Sequence, residues 1–531
     1  MSFMWFLTWT PYALSHRLNP LLTNWIFSDS GANLAWNTAV PFVGLVVSPL
    51  TWALGPIFSY NAAMILGMAA SAWSAYYAAL RLFRCRPYAA VLAGAVYGFS
   101  PFMTAHAVGH PHLVIAFTPP LFLLVLYDIF VTQQHAPWLN GMKLAFLTLI
   151  QYFINSEGLL MSVFLAAVGT CLLLISRRRA LSRGQVVYGT ESLLVAGIIA
   201  LLVLSYPLYL AFFGPWQPYH PIHESADIYV ADSLSFILPT SVQALSTVST
   251  HILTSFFSGN LGEWNTYLGL PLIMLLGIIA YIKRADGNVR FLSAILLATV
   301  IFSLGPSLHV AGHSLSAIPL PWRLVERVPF LRDVLTTRFG QYIYLFAGLI
   351  LAIYVSDDSV SQARRLARLA ASLAVVVFLL PTVPLPYPVT HAEVPEFFRL
   401  PRAQQHIESP ALIVPFSTED RATAMLWQAE AGLTFKMPEG YAFGQGRGPW
   451  PAPTPLSDAL IDIEDTGHAP AVTSAFRAQI IGVLKRQRIR TILLGPSPHE
   501  HDALRFLVEV LGWTPDSVDG VFIWRRIDRR L

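Results

Sequence analysis

Tyr97–Pro120, YGFSPFMTAHAVGHPHLVIAFTPP, sets three histidines, His106, His110 and His112, between two apolar runs. Each run, about 88–107 and 112–131, is long enough to cross a hydrocarbon core, which takes about 20 helical residues. If both are spans, the imidazoles sit at one water-facing rim of a helix bundle. Composition agrees: of 531 residues, 55% are hydrophobic and 12% charged, against roughly 25% charged in a soluble domain. The reading is an all-α polytopic membrane bundle. The net charge of +4 falls on particular turns, so it reads as orientation, and no nucleic-acid partner is expected. Cys85 beside basic residues and Cys171 inside an apolar run suggest neither a disulfide framework nor a metal site.

Working outward, Met1–Leu14 lacks the basic start and continuous apolar core of a cleavable signal. The spacing of Trp5 and Trp9 suits an aromatic helix lying at the membrane surface, and the apolar stretch 39–55, interrupted by Pro41 and Pro49, reads as re-entrant or interfacial. Residues 1–56 are thus expected on the outer surface. About ten spans follow within 57–384: 57–83, 88–107, 112–131, 138–154, 157–176, 190–213, 265–282, 290–306, 338–355 and 366–384. Turns holding Arg81, Arg84 and Arg86, then Arg177, Arg178, Arg179 and Arg183, then Lys283, Arg284 and Arg290, then Arg364, Arg365 and Arg368 mostly alternate with turns poorer in basic residues. The positive-inside rule makes these turns cytoplasmic. The histidine loop, the turn 155–157 and the long loops 214–264 and 306–337 then face outward. Arg323, Arg327 and Arg332 in the last of these run against the pattern. Leu234–Phe257, rich in Ser and Thr, reads as an interfacial helix.

After Pro381 the sequence PTVPLPYP reads as a stiff linker, and residues 385–531 as a small soluble α/β domain outside the membrane. Its expected strands are 411–416, 491–495 and 520–525, and its expected helices 418–430, 475–488 and 499–511. The GQGRG at 444–448 neither follows a clear strand nor opens a helix, so it is not read as a phosphate loop.

Ionisable groups near the ends of spans need a partner or an exit to water, and several gather on the outer side. The histidines can bond water and headgroups, ligate a cation, or contact a phosphate when protonated. Glu157, after Asn155 and Ser156 at a tight turn, can support a helix start or serve as acid, base or ligand. Arg338 can snorkel or grip a phosphate through its planar guanidinium. The stretch HPIHESADIYVAD (220–232) has no common zinc spacing.

These residues carry a resemblance. MWFLTWTPYALSHRLNPLLTNWIF (4–27), SGANLAWNTAVPFVGLVVSPLTWALGPIFSYN (30–61), YGFSPF with GHPHL, the outer-turn SEG and MLWQAEAGLTFKMPEGY (425–441) are similar to bacterial membrane glycosyltransferases of the GT-C type. The similarity covers most of the chain. It implies a GT-C-like multi-span bundle with an outward active site, a polyprenyl-phosphate-linked sugar as donor, and often a soluble domain after the last span. It also implies an acidic residue in the first outer loop, just after a first span. Here residues 1–53 correspond to most of that loop; the first span and the acid expected before MWFLTW are lacking, and Asp29, in the turn SDSGAN, is a poor substitute.

In that reading Glu157 is the catalytic base. Arg338, Arg332, His110 and His112 bind the lipid phosphate, and His106, Glu224 and Asp227 are loop or acceptor candidates. The metal is unassigned and the cofactor open, a divalent cation being one alternative. The partners are membrane lipid, the polyprenyl-phosphate sugar and a glycan or lipid acceptor. The location is the cell membrane, with the C-terminal domain extracytoplasmic. Two rivals stand beside it. A transporter or flippase for a lipid-linked sugar is disfavoured by the lack of a visible repeat and of mid-span ionisable groups. A catalytically inactive glycosyltransferase-like binding protein would explain the missing acid.

Overall fold

A computed structural model describes residues 1–176, 182–217, 227–382, 392–401, 405, 407–418, 421–443 and 453–531. They fall into two compact units. The first comprises Met1–Ala62, Leu204–Ile222 and Thr390–Leu531; the second comprises Ala63–Val203 and His223–Val389.

The first unit begins with helix α1 (Ser2–Ser15), the short pair β1 (Leu22–Thr23) and β2 (Ala32–Asn33), α2 (Pro41–Val46) and the start of α3 (Ser48–Phe83). The expectation of a surface-lying α1 is corrected. Trp5 and Trp9 are buried and stack with centroids 5.4 Å apart. The Trp5 indole N–H donates to Gln428 Oε1 at 2.5 Å and that of Trp9 to the Pro20 carbonyl at 3.0 Å. Two indoles with both their faces and their N–H groups satisfied inside protein have no cause to seek an interface.

The second unit is a helical bundle: the rest of α3, then α4 (Pro87–Gly98), α5 (Pro101–His106), α6 (Pro111–Val114), α7 (Thr118–Tyr127), α8 (Pro137–Ile154), α9 (Ser156–Ser176), the first part of α10 (Arg183–Phe213), α11 (Val248–Thr254), α12 (Gly269–Ile282) and α13 (Gly287–Ser303). An antiparallel hairpin of β3 (Ser307–Val310) and β4 (His313–Pro319) follows, then α14 (Trp322–Val325), α15 (Gly340–Val355) and α16 (Gln362–Val376). Proline opens α4, α5, α6, α7 and α8 within the first two positions, where its fixed φ suits the helix and its missing N–H would have had no partner anyway.

One of those prolines, Pro101, interrupts one of the ten expected spans. Among the described residues five helical stretches are long and apolar enough to cross a membrane: Ser48–Phe83, Pro111–Thr132, Ser156–Ile175, Arg183–Phe213 and Thr336–Val355. The run 88–107 is cut at Ser100–Pro101, where the Ser100 hydroxyl caps α5 by accepting the Met103 N–H. That leaves α4 with 12 residues, about 18 Å long against a core of about 30 Å. Gly269–Ile282 and Gly287–Ser303 are apolar but short. In place of a span at 366–384 stands the 15-residue α16, which carries Arg364, Arg365 and Arg368. Leu234–Phe257 holds a 3-10 turn and the seven-residue α11. Large apolar side chains such as Ile65 and Leu66 on α3 and Leu201 and Leu202 on α10 face outward, as a lipid-facing surface requires. The α15 helix is buried along almost its whole length, whereas α10 exposes Leu194, Ile198, Leu201 and Leu202.

The chain returns to the first unit with a mixed four-stranded sheet, order β5–β6–β8–β7, formed by Ala411–Val414 (β5), Thr491–Leu494 (β6), Asp516–Val518 (β7) and Val521–Arg525 (β8). Strands β5 and β6 are parallel; the other pairings are antiparallel. Alternate side chains point to opposite faces, and both faces are buried. Leu412, Val414, Ile492 and Trp524 pack with the helices Pro455–Thr466, Ser474–Arg486 and Glu500–Leu511. On the other face Ala411, Ile413, Leu493 and Ile523 join a core containing Trp5, Trp9, Ile26, Phe398 and Trp427. The boundary drawn from sequence at residue 385 therefore differs from the structural division, because the N-terminal segment supplies one covering layer of the C-terminal sheet. The GQGRG segment and most of the Pro-rich linker lie outside the described residues.

Candidate active site at the bundle rim

Short helices place the histidines. The α5 helix ends at His106 and His110 stands just before α6, with a turn between them. The rings of His106 and His110 lie 5.4 Å apart, and those of His110 and His112 5.8 Å apart. His106 and His112 are buried. The Nδ1 of His106 is 2.8 Å from the Phe102 carbonyl; a carbonyl only accepts, so Nδ1 carries the proton. Its Nε2 is buried without a hydrogen-bond partner among the described residues and faces Glu263 Oε1 at 3.6 Å. A neutral ring thus turns a lone pair toward a carboxylate, whereas an imidazolium turns an N–H toward it.

Arg338, one turn before α15 proper, is the centre of the array. Its Nε and Nη2 donate to Glu263 Oε1 at 2.9 and 2.8 Å, and its Nη1 donates to Glu157 Oε2. The Glu157 carboxylate, in the first turn of α9, also accepts the Leu335 N–H on Oε1 at 2.8 Å. Glu263 is fixed through its backbone: its carbonyl accepts the Thr337 hydroxyl at 2.6 Å and its N–H donates to Asn260 O at 3.0 Å. Its second oxygen, Oε2, is buried with no hydrogen-bond partner among the described residues. Burial alone would raise the Glu263 pKa, but the Arg338 charge and the contact with His106 hold it well below the usual carboxylate range. Burial, followed by the charges of His106 and Arg338, pushes His110 down to about 4, against a smaller upward pull from Glu263. The array therefore sets Arg338 between two acidic side chains, with a neutral His110 alongside at neutral pH.

The structure brings Glu157, Arg338 and His106 into one array, with His110 and His112 alongside. It leaves other sequence candidates elsewhere. Arg332 is half exposed and faces Asp333 at 3.6 Å. Asp227 accepts the hydroxyls of Ser307 at 2.5 Å and Ser314 at 3.1 Å and faces His309 at 3.2 Å, forming a separate cluster on the β3–β4 hairpin. Glu224 lies outside the described residues. Glu263 was not among the candidates; its one signal is an acid close before an apolar run, GEWNTYLGL, on a loop without Lys or Arg. Among the described residues no three His, Cys, Asp or Glu side chains converge closely enough to hold a metal ion.

The superposition with solved structures concerns the fold. The arabinofuranosyltransferase AftD from Mycobacteria matches with a TM-score of 0.55 at 13% identity, over 97% of this chain and 37% of its own. A mutant form of it gives 0.53 at 12%, over 98% and 39%. The oligosaccharyltransferase of Archaeoglobus fulgidus superposes more loosely, with a TM-score of 0.41 at 10% identity over 96% and 65%. This chain thus spans little over a third of the length of AftD. No curated protein matches it. In sequence, residues 4–380 match the profile of a domain of unknown function, DUF6311. That match takes in well over half of the 531 residues, and the chain belongs to the DUF6311 family.

Proposed function

We propose that this protein is a membrane glycosyltransferase that moves a sugar from a polyprenyl-phosphate donor to a hydroxyl acceptor at the bundle rim, on the extracytoplasmic side. The observation that carries the reading is a buried, ionised carboxylate oxygen, Glu263 Oε2, left without a partner among the described residues in a charged array beside lipid-facing helices. The fold shared with an arabinofuranosyltransferase supports sugar transfer in general terms.

The acceptor O–H donates to Glu263 Oε2. Its oxygen forms the bond to the anomeric carbon, the carbon–oxygen bond to the lipid phosphate breaks, and the phosphate leaves with the electron pair while the carboxylate takes the proton. Glu157 has both oxygens engaged and Arg338 has three donors engaged, so in this reading they hold Glu263 in place. The departing phosphate meets the imidazoles of His110 and His112.

The test is transfer from radiolabelled polyprenyl-phosphate pentoses and hexoses by the full chain in proteoliposomes. Glu263→Gln and Glu157→Gln should each lower the rate by about 10²–10⁴. Wild-type rates in both variants would remove the array from the chemistry. Movement of the donor across the bilayer without transfer would favour the transporter reading.

A further inference from the structure

Within the bundle a cavity of about 290 Å³ opens between α7, α9, α13 and α15. Its wall is mainly apolar, with Phe122, Leu126, Leu165, Phe291 and Ile295 among the lining residues. On α9 the lining runs from Ser162 to Leu173, about 16 Å of helix. The cavity is therefore a slot, and its two ends differ in charge.

At one end Ser162 and Tyr342 line it, their hydroxyls 2.7 Å apart, and Tyr342 also donates to the Gly158 carbonyl at 3.1 Å. Next along the chain stand Glu157 and Arg338, in an array where two carboxylates face one guanidinium. The two hydroxyls at that end are engaged with each other and with the Gly158 carbonyl, and Arg338 is already paired with two acidic side chains. At the other end Asn288 and Arg290 line the slot. The Arg290 side chain is exposed, and among the described residues no hydrogen bond or ion pair engages it. Four other basic residues of the unit are held in ion pairs: Lys283 and Arg368 share Asp357, while Arg86 and Arg365 share Asp358.

We infer that this slot holds one acyl chain of an anionic membrane phospholipid, with the phosphate on Arg290 and the chain running toward Ser162 and Tyr342. Apolar walls exclude a polar ligand, and the guanidinium selects an anionic headgroup over a zwitterionic one. The direction is opposite to the one a donor lipid with its phosphate at the rim would need. The slot is therefore separate from the proposed transfer, and its failure would leave that proposal standing.

The experiment titrates lipid into the purified full chain in neutral detergent, with bound lipid read by native mass spectrometry and the thermal midpoint followed in parallel. Phosphatidylglycerol should stay bound and raise the midpoint, whereas phosphatidylcholine should bind at least tenfold more weakly. Arg290→Ala should weaken phosphatidylglycerol at least tenfold and Arg290→Lys should keep most of the binding. Because Arg290 is exposed and unpaired, both variants should fold. A Cβ on Gly169 would lie 3.2 Å from Ile295 Cδ1 and 3.6 Å from Phe291, so Gly169→Phe should fill the slot and abolish binding with Arg290 intact. Inorganic phosphate alone should not compete, since it buries no chain. Equal binding of the two phospholipids, or unchanged phosphatidylglycerol binding in Arg290→Ala, would overturn the inference. So would displacement of phosphatidylglycerol by polyprenyl phosphate whose own affinity ignores Arg290→Ala, because the slot would then belong to the donor.

Discussion

Arg338 joins two carboxylates, so its removal leaves like charges facing each other in a buried place. Arg338→Met should therefore lower stability by about 3–5 kcal/mol, read as a fall in the thermal midpoint of the purified chain. Glu263→Gln added to it should recover part of that loss; a cost below about 1 kcal/mol for the single variant would mean the pairing stabilises little. Two buried glutamates should respond to pH with opposite sign. The folded pKa of Glu263 is depressed, so its contribution is present above the ordinary value of 4.5 and lost as pH falls below it. In Glu439, burial pushes the carboxyl up to about 8, against the pull of backbone donors at Ile413 and at its own residue. Its folded form holds the proton more tightly, so stability is full below about 4.5 and falls as pH rises through about 8. Glu439→Gln should abolish that loss; midpoints at pH 5 and pH 8.5 that fall equally in both proteins would refute the assignment. At this scale sequence reading went part of the way. Glu157 and Arg338 stand out as charges at the ends of apolar runs. Glu263 was one of four acids on a long loop, and its contact with Arg338 joins residues 75 apart, which no local spacing reveals.

Between elements, packing is decided by small residues that hydropathy does not weigh. On α4, Gly94 and Gly98 are four residues apart, and a Cβ on either would strike α3: 2.6 Å from the Ala72 carbonyl oxygen for Gly94, and 2.5 Å from Ala72 Cβ and 2.7 Å from its Cα for Gly98. On the other side Gly348 of α15 lies so close that its Cβ would be 3.0 Å from the Ala93 carbonyl oxygen. Helices meeting at small residues gain van der Waals contact that apolar bulk cannot supply in lipid. Gly98→Ala should cost about 1–3 kcal/mol of overpacking, and Gly98→Leu should abolish folded protein on size exclusion; a Gly98→Leu variant with the wild-type midpoint would show that α3 and α4 do not pack this closely. The same blindness explains the span count. A window of apolar residues cannot tell a continuous helix from two pieces joined at Ser100–Pro101, because proline is apolar and the break rests on φ and a missing N–H. Where no such break intervenes, as in 157–176 and 190–213, the apolar runs match helices α9 and α10.

For the molecule as a whole, the instructive case is the C-terminal sheet. Its strands were legible, 411–416, 491–495 and 520–525 against Ala411–Val414, Thr491–Leu494 and Val521–Arg525, because short apolar runs bounded by turn residues are a local signal. What covers them was not. A run such as ALIV, apolar at every position, says that both faces of the strand are buried, and the C-terminal helices that pack on one face account for only half of that burial. The other face is closed by α1, Ile26 and Phe27 together with Phe397, Phe398 and Trp427, and Gln428 ties the layers by accepting the Trp5 N–H on Oε1 while its Nε2 donates to the carbonyls of Trp25 and Phe435 at 2.9 and 2.8 Å. Residues 385–531 alone would expose this face and leave Gln428 without two of its three partners. The fragment should therefore aggregate or bind an apolar dye, and adding a peptide of residues 1–40 in trans should reduce both. A soluble, cooperatively unfolding fragment 385–531 with no dye binding would show instead that the sheet closes its own core and that the N-terminal layer is an attachment.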